Sequence, residues 1–304
     1  MPVLQVQHRT TYRYSSPVAF GEHHWMFRPR DSFEQRLISA EHSVSPAAAE
    51  TSWRHDIFGN QWAVLNFDPA VQATELVFDS SIAIEHTELS GPRFRTTDRA
   101  RTWPFEYESE SLADLAPYRN VQYPDPVVTE WALDAASRGQ ASTADVLLYL
   151  AEAVTATCVY SRRTNPGTQS PAETLARRRG TCRDFALLMI EAARVLGLAA
   201  RFVTGYIYVP ARDAGVIRGG GATHAWVQIF LPGAGWAEYD PTNGIEGTRD
   251  LIRVGVARDP RQARPLWGSF IGDRTSYLGM DVDVVVKKLS PPIKRPAHAL
   301  PFAG

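Results

Sequence analysis

The sequence predicts an α+β protein, with an antiparallel β domain first and a domain of helices followed by a sheet second. Apolar residues alternate at every second position in several stretches before residue 105, as in half-buried strands. From Val127 the apolar spacing becomes helical, and alternation returns after Gly197. The predicted division is therefore a β-rich domain at 1–105, a linker at 106–126, a second domain at 127–290 and a proline-rich tail at 291–304.

The β domain is predicted from three stretches of sequence. The first, Leu4–Tyr14, alternates with a period of two and ends at a Ser-Ser-Pro turn. In the second, Gly59-Asn60 marks a tight turn between strands at Trp53–His55 and Trp62–Phe67. The third stretch is Glu75–Glu88. Because no helical stripe competes in this region, we expect an antiparallel sheet.

Four helices are predicted in the second domain. Helical apolar spacing covers Val127–Arg138 and Ala144–Tyr160. A short helix follows Ser170, which is an N-cap residue with proline directly after it and glutamate three positions later. The fourth helix begins at Cys182 and should stop at Gly197, a residue type that commonly ends helices. Three strands then follow, at Arg201–Val209, Thr223–Leu231 and Trp236–Asp240.

Composition narrows the class of protein. The chain has 304 residues, 44% hydrophobic and 21% charged, with a net charge of −1, so bulk electrostatics would not hold a nucleic acid or an anionic membrane. We see no signal peptide, and no apolar run approaches the roughly 20 residues that span a bilayer. With only two cysteines there is no disulfide framework, and we expect a cytoplasmic protein.

Cys182 has the surroundings of a reactive thiol. It follows Gly180-Thr181 and opens the fourth helix, where unpaired backbone amides and the helix dipole favour a thiolate. Its own N–H could stabilise the oxyanion of an attacked carbonyl, and Gly180 would leave the sulfur uncrowded. Thr181 and Asp184 are spaced as a near capping box, so we interpret Asp184 as helix-capping support rather than a catalytic acid.

His224 and Asp240 lie on two strands joined by a Pro-Gly-Ala-Gly turn. A symmetric hairpin places them a few positions out of register, so a bulge or a diagonal pairing is needed to bring the carboxylate to the imidazole. A thiol, an imidazole and a carboxylate are together the components of a cysteine nucleophile catalyst. Trp226 and Tyr160 are candidates either for a second oxyanion donor or for the wall of a cleft.

The remaining candidates have simpler interpretations. Cys158 continues the apolar stripe of its helix and should be packed in the core, although a Cys158–Cys182 disulfide is conceivable. His23 and His24 are adjacent on a strand and point to opposite faces, so they do not suit one metal ion. We predict no metal and no cofactor. The glycine-rich segment Asp213–Gly221 is either a mobile cover for the thiol or a solvent loop without a role.

Several motifs together resemble the bacterial transglutaminase-like superfamily. In the second domain they are Gly180–Ala186, Ala200–Tyr206, His224–Val227, Gly235-Trp236 and Asp240–Asn243. The first domain is similar to the β domain that precedes this core in one bacterial subgroup, through His8–Tyr14, Arg28–Arg30 and Asp56–Asn60.

The resemblance implies a papain-like core with Cys182, His224 and Asp240 as its catalytic triad. It implies acyl transfer at a peptide or carboxamide carbonyl through a thioester, with a peptide or protein as the substrate. Hydrolysis is our interpretation, as in a peptidase or amidase. The alternatives are a transglutaminase, which passes the acyl group to an amine, and a non-catalytic binding module on the same fold.

Overall fold

The computed structural model describes residues 2–87, 95–138, 142–161, 167–209, 223–247 and 250–289. These residues form the predicted α+β architecture, with a large antiparallel sheet, a layer of helices and a second antiparallel sheet. The glycine-rich segment 213–221 and the predicted tail at 291–304 fall outside the described residues.

The first sheet is organised around one long strand, β1. Its other N-terminal strands pair in the order β2-β5-β1-β4-β3, and their bounds are β1 Val3–Trp25, β2 Gln35–Ser45, β3 Glu50–His55, β4 Gln61–Asn66 and β5 Gln72–His86. The turn between β3 and β4 contains Gly59 with a φ of 73°, as the Gly-Asn pair predicted. The sequence pattern missed β2, because its side chains alternate between exposed and half-buried and carry little apolar signal.

The helices and the second sheet form the core around the candidate site. The helices are α1 Ser109–Arg119, α2 Pro126–Ser137, α3 Thr143–Thr157, α4 Pro171–Arg177 and α5 Cys182–Val195. Two short paired strands flank α4, namely β6 Val159–Tyr160 and β7 Arg179–Gly180. The second sheet has the order β11-β10-β9-β8-β12, with β8 Ala200–Ile207, β9 Thr223–Leu231, β10 Gly235–Asp240, β11 Ile245–Glu246 and β12 Leu251–Ala257.

Helix α5 packs on the second sheet through the apolar face that the sequence predicted. Its buried side chains share one core cluster with alternate residues of β9, and the cluster includes Phe185, Leu188, Met189, Ala192, Ala225, Val227 and Ile229. Two predicted helix ends also agree with the structure, whereas the helix predicted over Ala144–Tyr160 stops at Thr157, because the backbone is extended from Cys158 and Val159–Tyr160 pair as β6. Ser170 accepts a hydrogen bond from the Glu173 N–H, and Gly197 has a φ of 82° directly after α5.

The predicted linker contains a helix that the sequence did not indicate. Helix α1 lies inside residues 106–126, which were expected to be irregular. Only Leu115 is buried in α1, so the helix has no apolar stripe that a periodicity search would find. Pro117 lies near its C-terminal end and further weakens the sequence signal.

The chain returns to the first sheet after the second sheet is complete. Strands β13 Leu266–Ile271 and β14 Tyr277–Leu289 both pair with β1. The structure therefore differs from the predicted domain of residues 127–290, whose last part belongs to the N-terminal sheet. Alternation along β14 indicates a strand but does not identify a partner more than 250 residues away in the chain.

Side-chain amides from the first sheet complete the edge of β12. Gln35 donates to the Arg253 carbonyl at 2.6 Å and accepts from the Arg253 N–H at 2.9 Å. Asn60 makes the same pair of bonds with Val256, also at 2.6 and 2.9 Å. These two amides take the place of a neighbouring strand, and so an edge that would expose unpaired backbone groups is covered.

Candidate active site

Cys182 is the first residue of α5, as the sequence predicted, and Thr181 is its N-cap. The Asp184 carboxylate is fully buried and accepts hydrogen bonds from the Thr181 N–H at 2.8 Å and the Thr181 hydroxyl at 3.0 Å. Its other oxygen accepts from the Gln169 N–H at 2.7 Å. Asp184 therefore supports the start of the helix, where a negative charge also interacts favourably with the dipole.

The structural reason for a glycine at position 180 differs from the one that the sequence suggested. A Cβ at this position would lie 2.9 Å from the Asp184 Cβ and 3.2 Å from the Phe185 ring. Glycine is thus required so that the backbone can approach the buried capping carboxylate and the first turn of α5. The expectation that Gly180 clears the approach to the sulfur is not what its surroundings indicate.

His224 and Asp240 meet by diagonal pairing across the β9–β10 hairpin. The β9–β10 register ends with Tyr239 opposite Val227, so Asp240 faces the position of Trp226 and lies diagonally from His224, two residues further along β9. The His224 Nε2 and Asp240 Oδ2 atoms are 2.7 Å apart, and both side chains are buried. The diagonal alternative in the sequence interpretation is therefore the arrangement that the hairpin adopts.

The Asp240 carboxylate is held by more groups than the sequence analysis assigned. Asn243 Nδ2 donates to its Oδ2 at 2.7 Å, and the Thr242 N–H donates to its Oδ1 at 2.9 Å. Burial alone would raise the pKa of Asp240, but its hydrogen bond to His224, the imidazolium charge and these further donors lower it overall. Asn243 is the last residue of the Asp-Pro-Thr-Asn motif, and this motif was the only feature of the sequence that pointed to a contact with Asp240.

The His224 imidazole is linked to Cys182 as well as to Asp240. Burial favours the neutral ring, yet hydrogen bonds to Asp240 and Cys182, together with the charges of these two groups, raise the pKa of His224 to about 9. The ring is therefore largely protonated at neutral pH. Nε2 of the ring faces Asp240, so the other ring nitrogen, Nδ1, is available for an interaction between the imidazolium and the half-buried Cys182 thiol.

The Trp226 indole stacks on the His224 ring and is not an oxyanion donor. Its indole is fully buried, and its Nε1–H donates to Glu238 Oε2 at 3.0 Å. The indole stacks on the His224 ring, with centroids 6.0 Å apart and an interplanar angle of 24°. Since the indole N–H is already bound to Glu238 and the ring is not exposed, neither role proposed from the sequence, side-chain donor or cleft wall, agrees with the position of Trp226.

Two segments of the chain match models of known protein families. The family model described as the bacterial transglutaminase-like N-terminal region matches residues 4–85, and that of the transglutaminase-like superfamily matches residues 131–241. The chain belongs to the transglutaminase-like superfamily. The second match contains Cys182, His224 and Asp240.

Relatives of this transglutaminase-like chain extend over nearly its whole length. An uncharacterized protein of Mycobacterium leprae is 33% identical over 296 residues, which cover 93% of this chain and 97% of the relative. A Mycobacterium tuberculosis protein is 29% identical over 298 residues and 92% of both chains. The crystal structure of a candidate cysteine protease from Cytophaga hutchinsonii has the same fold, with a TM-score of 0.69 at 17% identity, over 98% of this chain and 94% of that one.

Tyr160 lies beside the start of α5 in this transglutaminase-like core. It pairs with Gly180 in the short β6–β7 ladder, and its ring contacts Phe185 edge-on at 6.5 Å. The residue is 51% exposed, in contrast to Trp226. Its position two residues from Cys182 across the ladder agrees with the cleft-wall interpretation, which stays a prediction.

Cys158 is the second thiol, and it is packed as predicted. It lies at the C-terminal end of α3 and is 4% exposed, and both cysteines are free rather than joined in a disulfide. Burial raises the pKa of the Cys158 thiol to about 11.

In the described parts of the chain, no group of three or more His, Cys, Asp or Glu side chains comes together as a metal site would need. No helix within the described ranges is long and apolar enough to cross a membrane.

Proposed function

We propose that this protein is a cysteine-dependent hydrolase that cleaves a peptide or carboxamide bond through a thioester on Cys182. The observation that carries the proposal is the position of His224, whose Nε2 lies 2.7 Å from Asp240 Oδ2 and whose pKa is raised by both Asp240 and Cys182. The candidate cysteine protease with the same fold is in keeping with this chemistry. Cys182, His224 and Asp240 have the roles of nucleophile, acid–base and orienting carboxylate.

The first half of the reaction forms the thioester. The Cys182 sulfur attacks the carbonyl carbon, and the electron pair of the C=O bond moves onto oxygen. The Cys182 N–H is one of the first amides of α5, which have no acceptor within the helix, and it can donate to this oxyanion. When the tetrahedral intermediate collapses, the C–N bond breaks and His224 gives its proton to the leaving amine.

The second half releases the acyl group and restores the enzyme. The neutral His224 takes a proton from a water molecule, whose oxygen attacks the thioester carbonyl. The C–S bond then breaks, the carboxylic acid leaves, and the thiolate–imidazolium pair forms again. Asp240 keeps the ring oriented and stabilises its charged form throughout. We favour water as the acceptor because transfer to an amine would need a further binding site for that amine.

A peptide library tests this proposal. Purified protein is incubated with the library and a primary amine, and mass spectrometry follows both cleavage and amine incorporation. We expect cleavage that is lost in Cys182→Ala and kept in the matched variant Cys158→Ala, which alters the other thiol. Amine incorporation in preference to cleavage would identify a transglutaminase instead. An absence of both reactions across a broad library would favour a binding module.

A further inference from the structure

A buried carboxylate next to the candidate active site is not used by the reaction described above. Glu238 lies on β10, two residues before Asp240, and is 2% exposed. It accepts hydrogen bonds from Trp226 Nε1 at 3.0 Å, Gln228 Nε2 at 2.8 Å and Arg253 Nη1 at 2.8 Å. A carboxylate buried in this way needs such partners, because an unpaired buried charge is strongly unfavourable.

The Glu238 carboxylate fixes the plane of the Trp226 indole. One face of the indole stacks on His224, and its N–H is directed to Glu238. Behind the ring lies Gly205, whose missing side chain makes room for it, since a Cβ there would come within 2.9 Å of the indole Cη2 and would overlap the Ile252 carbonyl oxygen. The indole therefore has little freedom to turn, and neither has the imidazole that lies on it.

Arg253 connects this arrangement to the N-terminal sheet. Arg253 lies on β12 opposite Gly205, which in turn lies opposite His224 on β9. Both backbone polar groups of Arg253 are bound by the Gln35 amide, and its guanidinium also lies 3.5 Å from Glu34. The strand position of Arg253, and hence the direction of its guanidinium, thus depends on residues from the first sheet.

The pKa of the buried Glu238 carboxyl is raised overall, and Arg253 is the strongest of the groups that favour its ionised form, ahead of Gln228 and Trp226. Burial raises the pKa of the Glu238 carboxyl, and the charge of Arg253 acts in the opposite direction. The nearby Glu34 disfavours the ionised form, and Arg201, which binds Gln228, is a further cation that interacts with Glu238. A neutral Glu238 would accept less strongly from the Trp226 N–H.

We propose that Glu238 and Arg253 are positioning residues that hold Trp226 against His224, so that the N-terminal sheet controls the orientation of the imidazole. The inference rests on the proposed function, because it assigns His224 a catalytic role. The path runs from Gln35 to Arg253, then to Glu238 and Trp226, and ends at His224. Each step is a contact between described side chains or a hydrogen bond of 3.0 Å or less.

A matched pair of variants tests the dependence on the first sheet. Gln35→Ala removes the clamp on Arg253, whereas Asn60→Ala removes the equivalent clamp on Val256 in the same strand. Both should lower the unfolding temperature. We expect only Gln35→Ala to change the site, with kcat roughly tenfold lower at unchanged KM, since small misplacements of catalytic groups act on turnover. Equal effects of the two variants on kcat would show that the clamp at Arg253 has only a structural role.

A second measurement is independent of any substrate. NMR of histidine-labelled protein follows the protonation of His224, and the variants are Glu238→Gln, Trp226→Phe, Arg253→Met and Arg253→Lys. In the first three variants we expect the midpoint of the His224 titration to fall by about 1 pH unit, which is a tenfold change in the protonation equilibrium. In Arg253→Lys the midpoint should be largely kept. An unchanged midpoint in a folded Glu238→Gln or Trp226→Phe protein would overturn the inference. If the proposed hydrolysis fails, this titration still decides the positioning role.

Discussion

Replacing Asp240 with asparagine should shift the protonation of His224 far toward the neutral ring. The substitution keeps the size of the side chain and removes its charge. In the native site the pKa of His224 is about 9 instead of 6.5, which corresponds to roughly 3 kcal/mol of preference for the imidazolium. Screening by solvent is slight because His224 is 7% exposed. Burial lowers the pKa of His224, and without the Asp240 carboxylate the Cys182 thiol alone of these two groups still raises it. We therefore expect the His224 pKa to fall toward 6.5 or below.

The raised pKa of His224 also predicts how the free energy of unfolding depends on pH. A pKa that is raised in the folded protein stabilises it fully below the unfolded value of 6.5, and this contribution is lost as pH rises through about 9. The free energy of unfolding of the wild type should therefore decrease by up to about 3 kcal/mol between these limits. The Asp240→Asn protein should lack most of this decrease.

Two assays measure these effects. NMR of histidine-labelled protein gives the His224 midpoint, assigned by its absence in a His224→Gln sample, and urea unfolding at pH 6.5 and pH 9 gives the stability difference. Asp259→Asn is a suitable control, because Asp259 is also buried with a lowered pKa but is bound by Tyr123 and Arg261. A His224 midpoint near 6.5 in the wild type, or an equal shift of that midpoint in both variants, would refute the role of Asp240 in holding the imidazolium.

Three further predictions concern the reactive groups. Iodoacetamide at neutral pH should alkylate Cys182 first, since burial raises the pKa of Cys158 to about 11, and preferential labelling of Cys158 would contradict the assignment. Cys182→Ala and His224→Ala should each reduce turnover to the same background, because groups that act as a unit are non-additive, and normal turnover in His224→Ala would exclude its role. Asn243→Ala removes one of the donors to Asp240 and should lower kcat less than Asp240→Asn does; a larger loss would mean that Asn243 acts on the substrate itself.

The sequence was sufficient for the parts of the site that lie in local motifs. The start of α5 at Cys182 follows from its cap residues and apolar face. The hairpin turn likewise places His224 and Asp240 within a few positions of register, although the turn alone did not decide between a bulge and a diagonal pairing. Such features depend on neighbours close in the chain, so spacing and residue type are enough to predict them.

The features that the sequence did not reveal depend on distant partners. The pairing of β14 with β1 joins the two ends of the chain, and no local pattern encodes that register. Glu238 and Arg253 lie on different strands and look like ordinary surface charges until the sheets are assembled. Trp226 was assigned the wrong role for the same reason, because its N–H partner became visible only in the folded hairpin.

The proposed mechanism requires an acyl group that is carried by Cys182. Intact-protein mass spectrometry after rapid acid quench, with a small activated ester as the probe, measures this adduct. We expect one acyl group per chain, located on Cys182 by digestion and removed by hydroxylamine. It should be absent in Cys182→Ala and should form far more slowly in His224→Ala. Turnover of the ester without an adduct, or with undiminished rate in Cys182→Ala, would contradict the thioester mechanism.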